Sequence, residues 1–162
     1  MAKLPIFHLA FPVKDIESTL DFYRTKLGFP IDLIEKGRCI INFFGHQAVA
    51  HVSKKDIPEE VALYPRHFGI ITEDEGEFDR LLGRIKQSKL EFFKPLFVRF
   101  PESSRAHKTF FLKDPSNNLL EFKWYKNRNL LFKSDPTGLH IFGEGRQVLP
   151  EKRAVQKPLH GK

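Results

Sequence analysis

Residues 5–12 form an apolar run broken only by His8, which predicts a strand, and a helical period follows. From Asp15, a capping residue, the apolar positions Ile16, Leu20, Tyr23 and Leu27 follow a 4, 3, 4 spacing before Gly28, which predicts an amphipathic helix with both ends marked. Three strand-like runs follow at 30–36, 38–44 and 47–53, separated by Lys36-Gly37 and by Gly45. The order then recurs: a strand at 66–72, a helix carrying Phe78, Leu81, Leu82 and Ile85, and strands at 90–98, 107–113 and 118–125, the last preceded by the turn Asp114-Pro115-Ser116-Asn117-Asn118. The chain therefore predicts two βαβββ modules, roughly 5–53 and 66–125.

Four polar residues interrupt these apolar runs at related places. His8 and His67 fall on the first strand of each module, and His51 and Glu121 on the last. Strand alternation sets His8 with Ile6 and Ala10, His51 with Val49 and Ser53, His67 with Gly69 and Ile71, and Glu121 with Leu119 and Lys123. All four are expected to face away from the helices into one concavity. Unpaired polar groups buried there carry a substantial cost, and a divalent metal would remove it.

Composition narrows the field. Phe supplies 17 residues against three Tyr and one Trp, which favours strand-rich packing and a dry pocket. The net charge of +7 is concentrated after residue 125, where eight Lys and Arg face three Asp and Glu; residues 1–125 carry 19 against 17. This basic extension, 127–162, has its charges scattered among Gly and Pro without a nucleic-acid-binding signature, so no nucleic-acid partner is expected. No apolar run is long enough to span a bilayer, so no membrane partner is expected either. The lone Cys39 and the absence of an apolar leader segment make the cytoplasm the expected compartment. Gly-rich phosphate loops and Ser/His/Asp elbows are missing, which disfavours phosphoryl transfer and covalent acyl chemistry.

Phe7-His8-Leu9-Ala10-Phe11-Pro12-Val13-Lys14-Asp15, Phe22-Tyr23 with Leu27-Gly28, Phe44-Gly45-His46-Gln47, and Phe110-Phe111-Leu112-Lys113-Asp114-Pro115 leading to Leu120-Glu121-Phe122 together resemble the vicinal oxygen chelate superfamily. That superfamily includes glyoxalase I, extradiol dioxygenases, fosfomycin-resistance thiol transferases and bleomycin-binding proteins. The resemblance covers about residues 4–126 and sets the expected domain at 1–126. It is nearest to the small single-domain branch described as predicted extradiol-type dioxygenases, through Asn42-Phe43-Phe44-Gly45-His46-Gln47 and Glu121-Phe122-Lys123.

The resemblance implies an α+β fold whose paired modules form a curved mixed sheet around a metal-containing pocket, with helices outside. It implies His8, His67 and Glu121 as metal ligands. Two imidazoles and a carboxylate suit Fe(II) with open positions for a substrate and O₂. The implied function is an Fe(II)-dependent dioxygenase acting on a small catecholic or enolic substrate chelated through two oxygens, in a homodimer. The alternatives are a glyoxalase-type lyase or isomerase using Ni, Zn or Mn, with His51 as a fourth ligand, and a non-catalytic small-molecule binding protein. In the dioxygenase reading His51 is the catalytic acid or base. Phe111 stands where a dioxygenase of this kind places a substrate-contacting Tyr, and where a fosfomycin enzyme places a hydroxyl. Asn42, His46, Arg99, His107, Thr109 and Phe111 are the substrate-binding candidates. His46 also reads as a turn residue, and Arg99 and the group Arg105, His107 and Lys108 also read as solvated positions.

Overall fold

The computed structural model describes residues 5–133. Its strands form two four-stranded sheets, one per module, in the βαβββ order expected. The first sheet runs β1 (His8–Val13), β4 (His46–Val52), β3 (Arg38–Phe43), β2 (Leu33–Glu35). The second runs β5 (Phe68–Ile71), β8 (Leu119–Tyr125), β7 (His107–Lys113), β6 (Phe92–Arg99). In both sheets the first strand pairs in parallel with the last and occupies an edge, while the other ladders are antiparallel. One compact unit ends at Arg128. Most of the basic extension lies outside the described residues, and no helix among those described is long and apolar enough to cross a membrane.

Helix α1 (Ile16–Leu20) starts where Asp15 accepts the Ser18 N–H at 2.7 Å, a hydrogen bond that holds the Asp15 carboxyl below its ordinary pKa. The same helix continues as a π-helical segment over Asp21–Lys26, with the Leu27 N–H reaching the Phe22 carbonyl. Sequence periodicity reads this segment as ordinary helix; the wider turn buries Phe22 and Tyr23 side by side, their rings 4.9 Å apart. Gly28 closes the helix at φ +81°, as a left-handed residue after a helix must. Helix α2 (Glu75–Gln87) is capped by Asp74 and buries Phe78, Leu81, Leu82 and Ile85, the four positions its periodicity marks.

Both helices and the helix-facing sides of both sheets meet in one core. Phe11 and Phe43 of the first module meet Phe68 and Phe122 of the second through ring contacts of 5.1–6.2 Å, and Phe110 stacks on Phe122 within the second. Tyr23 adds a polar tie, donating to Asp114 Oδ2 at 2.9 Å across the module boundary.

The outward sides of the sheets differ. On the first, His8, Ala10 and His51 are exposed. On the second, His107, Thr109, Phe111 and Glu121 are buried, which sets a polar layer inside the protein.

Candidate functional site

Glu121 is 4% exposed. Thr109, on the neighbouring strand β7, donates its hydroxyl to Oε1 at 2.9 Å. Lys123 Nζ lies 2.8 Å from Oε2, and His67 Nε2 lies 3.0 Å from the same oxygen. Gly69 pairs with Glu121 across the parallel β5–β8 ladder. A Cβ on Gly69 would fall 1.7 Å from the Glu121 carbonyl oxygen, so β5 approaches β8 at this point only because residue 69 is glycine.

His67 sits immediately before β5 rather than within the expected strand. Its Nδ1 is 2.9 Å from the Leu63 carbonyl, which can only accept, so Nδ1 carries the hydrogen. Unless a second proton is added, Nε2 then points a lone pair at a carboxylate oxygen. A cation between the two atoms resolves that opposition. Metal–ligand bonds of about 2.1 Å set at right angles separate two donor atoms by about 3.0 Å. The imidazole fixed through its other nitrogen by a carbonyl, and the carboxylate fixed by a hydroxyl, are the outer supports that metal ligands need. A divalent metal therefore fits this donor pair.

His8 is built in the same way, on the exposed side of the first sheet. Its Nδ1 donates to Gln47 Oε1 at 2.7 Å, and Gln47 is its direct neighbour in the β1–β4 ladder, leaving Nε2 as an acceptor. Among the described residues, however, no group of three His, Cys, Asp or Glu side chains converges on one point. A single chain brings together His67 and Glu121 and leaves His8 apart. The burial cost expected for all four polar residues applies to Glu121 and in part to His67; His8 and His51 are exposed.

Ladder register also changes the equivalence between modules. His67 lies two residues before Gly69, the partner of Glu121; two residues after His8 is Ala10, whose partner is Val49. Val49 thus occupies the place of Glu121, and His51, opposite Pro12 and Arg38, occupies that of Lys123.

The remaining candidates divide into two groups. Asn42 Oδ1 accepts the Gly45 N–H at 2.8 Å, and His46 Nδ1 accepts the Phe7 N–H at 3.2 Å; both brace the β3–β4 turn and the start of β1. The others lie on the second sheet. Phe111 faces Glu121 in register and packs edge-on to the His67 ring at 5.7 Å. Arg99 donates to the Tyr64 hydroxyl at 2.8 Å, and the Tyr64 ring in turn lies 5.7 Å from that of His67. His107 is 5% exposed, its Nδ1 donates to the Arg105 carbonyl at 3.0 Å, and burial pushes its pKa below the ordinary value. Lys123, Gln47 and Tyr64 are site residues that alternation alone did not single out. The signal for Lys123 was its place two residues after a ligand candidate; Gln47 comes beside His8 only through the ladder, and Tyr64 had no signal. A cavity of about 570 Å³ beneath the loop joining the modules is lined by Tyr64, His67, Phe68 and Leu119, and by Leu9 and Phe11 of β1.

Residues 6–122 match the family model of the Glyoxalase/Bleomycin resistance protein/Dioxygenase superfamily. The crystal structure of a glyoxalase/bleomycin resistance protein/dioxygenase from Alicyclobacillus acidocaldarius is 44% identical, covers 79% of this chain and 96% of that one, and superposes with a TM-score of 0.76. The chain belongs to this superfamily. Beyond that structure, the metallothiol transferase FosB of Staphylococcus epidermidis is 23% identical over 140 residues, which is 85% of this chain and 94% of that protein. Lactoylglutathione lyase from Agrobacterium tumefaciens shares the fold at a TM-score of 0.56 and 18% identity, over 76% of this chain and 96% of that one. Members of the glyoxalase/dioxygenase superfamily with such different names share this fold, so reaction type must be sought in individual side chains.

Proposed function

We propose that this protein is a metal-dependent enzyme in which His8, His67 and Glu121 hold one divalent ion, and that His8 is supplied by a second copy of the chain. The observation that carries the reading is the His67–Glu121 pair, two donor atoms 3.0 Å apart, each fixed from behind by a hydrogen bond. His8 supports it with the same tether and a free Nε2. Its strand is a sheet edge flanked by Ile6 and Phe7, which are 68% and 63% exposed and give a second copy apolar surface to cover.

Val49 in the place of a fourth ligand favours a three-donor set with open positions over the four-ligand glyoxalase-type site. Such a set suits a small substrate chelated through two neighbouring oxygens, and we assign it to Fe(II)-dependent oxygenation of a catecholic or enolic compound. When bound, the ion would acidify a coordinated hydroxyl and hold the substrate in place. The chain's own residues do the rest. Thr109 holds the Glu121 carboxylate in orientation, Phe111 walls the site against water, and Arg99 with Tyr64 offers hydrogen-bond donors to an acidic substituent. His51, exposed on the His8 side of the first sheet and two residues beyond Val49, would move a proton without being a ligand.

Metal content of anaerobically purified protein, paired with oxygen uptake over a panel of catechols, tests this. The expected result is one iron per chain, lost in Glu121→Gln and kept in His51→Ala, with uptake abolished in both. Stoichiometric metal without oxygen uptake by the iron-loaded protein would remove the oxygenase assignment and leave the metal site standing.

A further inference from the structure

On the outward side of the second sheet, one buried acceptor lacks a donor and one ammonium group stands where the proposed metal would bind. His107 Nδ1 is committed to the Arg105 carbonyl, so Nε2 is the acceptor, and that nitrogen is buried without a hydrogen-bond partner among the described residues. An unmet buried acceptor loses its hydration with nothing in return. The ring is held by stacking on Tyr125, with centroids 4.2 Å apart. Lys123 Nζ sits on Glu121 Oε2 at 2.8 Å, the oxygen that faces His67. In the β7–β8 ladder His107 is opposite Tyr125 and Thr109 is opposite Lys123, so His107 and Lys123 are diagonal neighbours on one side of the sheet, within reach of a long side chain.

A divalent ion between His67 Nε2 and Glu121 Oε2 would occupy the oxygen that Lys123 uses and place like charges together where little water can screen them. We propose that Lys123 moves from Glu121 to His107 Nε2 when the metal binds, and that these two positioning residues thereby set the affinity of the site. Without metal, Lys123 neutralises the buried carboxylate; with metal, its ammonium supplies the donor that His107 lacks. This inference rests on the metal site proposed above.

The test is Zn²⁺ affinity, measured by chelator competition, in the full chain and in Lys123→Met, His107→Phe and the double variant. Lys123→Met is expected to tighten Zn²⁺ by about tenfold and His107→Phe to loosen it by about tenfold, a size ordinary for outer supports of a metal. His107→Phe should have no effect in the Lys123→Met background, and His107→Gln, which keeps an acceptor, should restore wild-type affinity. In ¹⁵N spectra the His107 Nε2 resonance should shift on adding Zn²⁺ to wild type and stay in place in Lys123→Met. Unchanged affinity in Lys123→Met, equal loosening by His107→Phe in both backgrounds, or an unmoved Nε2 resonance in Zn²⁺-loaded wild type would overturn the proposal. Undiminished Zn²⁺ binding by Glu121→Gln would instead remove the underlying site, a separable failure.

Discussion

Replacing Tyr23 by Phe removes one hydroxyl from the junction between the modules. Tyr23 is 1% exposed and donates to Asp114 Oδ2 at 2.9 Å. The ring contacts with Phe11 and Phe22 survive the substitution. Asp114 keeps a donor on each oxygen: the Ser116 and Asn118 N–H groups on Oδ1 and Asn118 Nδ2 on Oδ2. A hydrogen bond to a charged group contributes about 1.5–3 kcal/mol, and the remaining donors place this loss at the lower end, about 1.5–2 kcal/mol. For a chain of this size that lowers Tm by roughly 3–8 °C.

The sign of the pH dependence follows from Asp114. Burial raises its pKa above the ordinary 3.8, opposed by hydrogen bonds from Asn118, Ser116 and Tyr23. Between the unfolded and the raised folded value the folded state holds the extra proton, so this carboxyl's favourable contribution is complete below the unfolded value and is lost as pH climbs through the folded one. Removing the Tyr23 donor raises the folded value further. The deficit of Tyr23→Phe should therefore be smallest in acid and grow across that window. Urea unfolding at a series of pH values measures it; a deficit below about 0.5 kcal/mol at pH 7, or one larger in acid than at neutrality, would refute the reasoning.

Other substitutions probe the site directly. Gly69→Ala must push β5 away from the Glu121 backbone, and is expected to cost about 1–3 kcal/mol in chemical denaturation and to weaken metal binding. Thr109→Val leaves Glu121 Oε1 without its donor, and a loss of about 10–100-fold in metal affinity by calorimetry is expected with little change of fold. Asp15→Ala removes the cap on the Ser18 N–H and should lower stability by about 1 kcal/mol in urea, without altering metal content.

Asp15, Gly28 and the Asp114–Asn118 turn announce the ends of their elements through local chemistry, and the structure uses each for that purpose. The two-module order was legible for the same reason. Register was not. Alternation reports which side of a sheet a residue faces, and a two-residue shift preserves that side while changing every neighbour. Residue parity therefore placed His51 on the correct side but made it the counterpart of Glu121, where the ladders make it the counterpart of Lys123. Exposure was hidden too, because the edge position of β1 is a tertiary fact that the apolar run around His8 does not reveal. The support for His67 comes from a backbone carbonyl, Leu63, and no residue type advertises that.

Subunit complementation tests most directly whether the metal site is completed between two copies. His8→Ala and Glu121→Ala chains are purified separately, unfolded, mixed, refolded together and assayed for bound metal. Each variant alone should bind none, and heterodimers should recover one intact site, because one subunit contributes His8 and the other His67 and Glu121. Heterodimers with no recovered metal, formed from variants that each lost it, would place all three ligands within one chain and contradict the account.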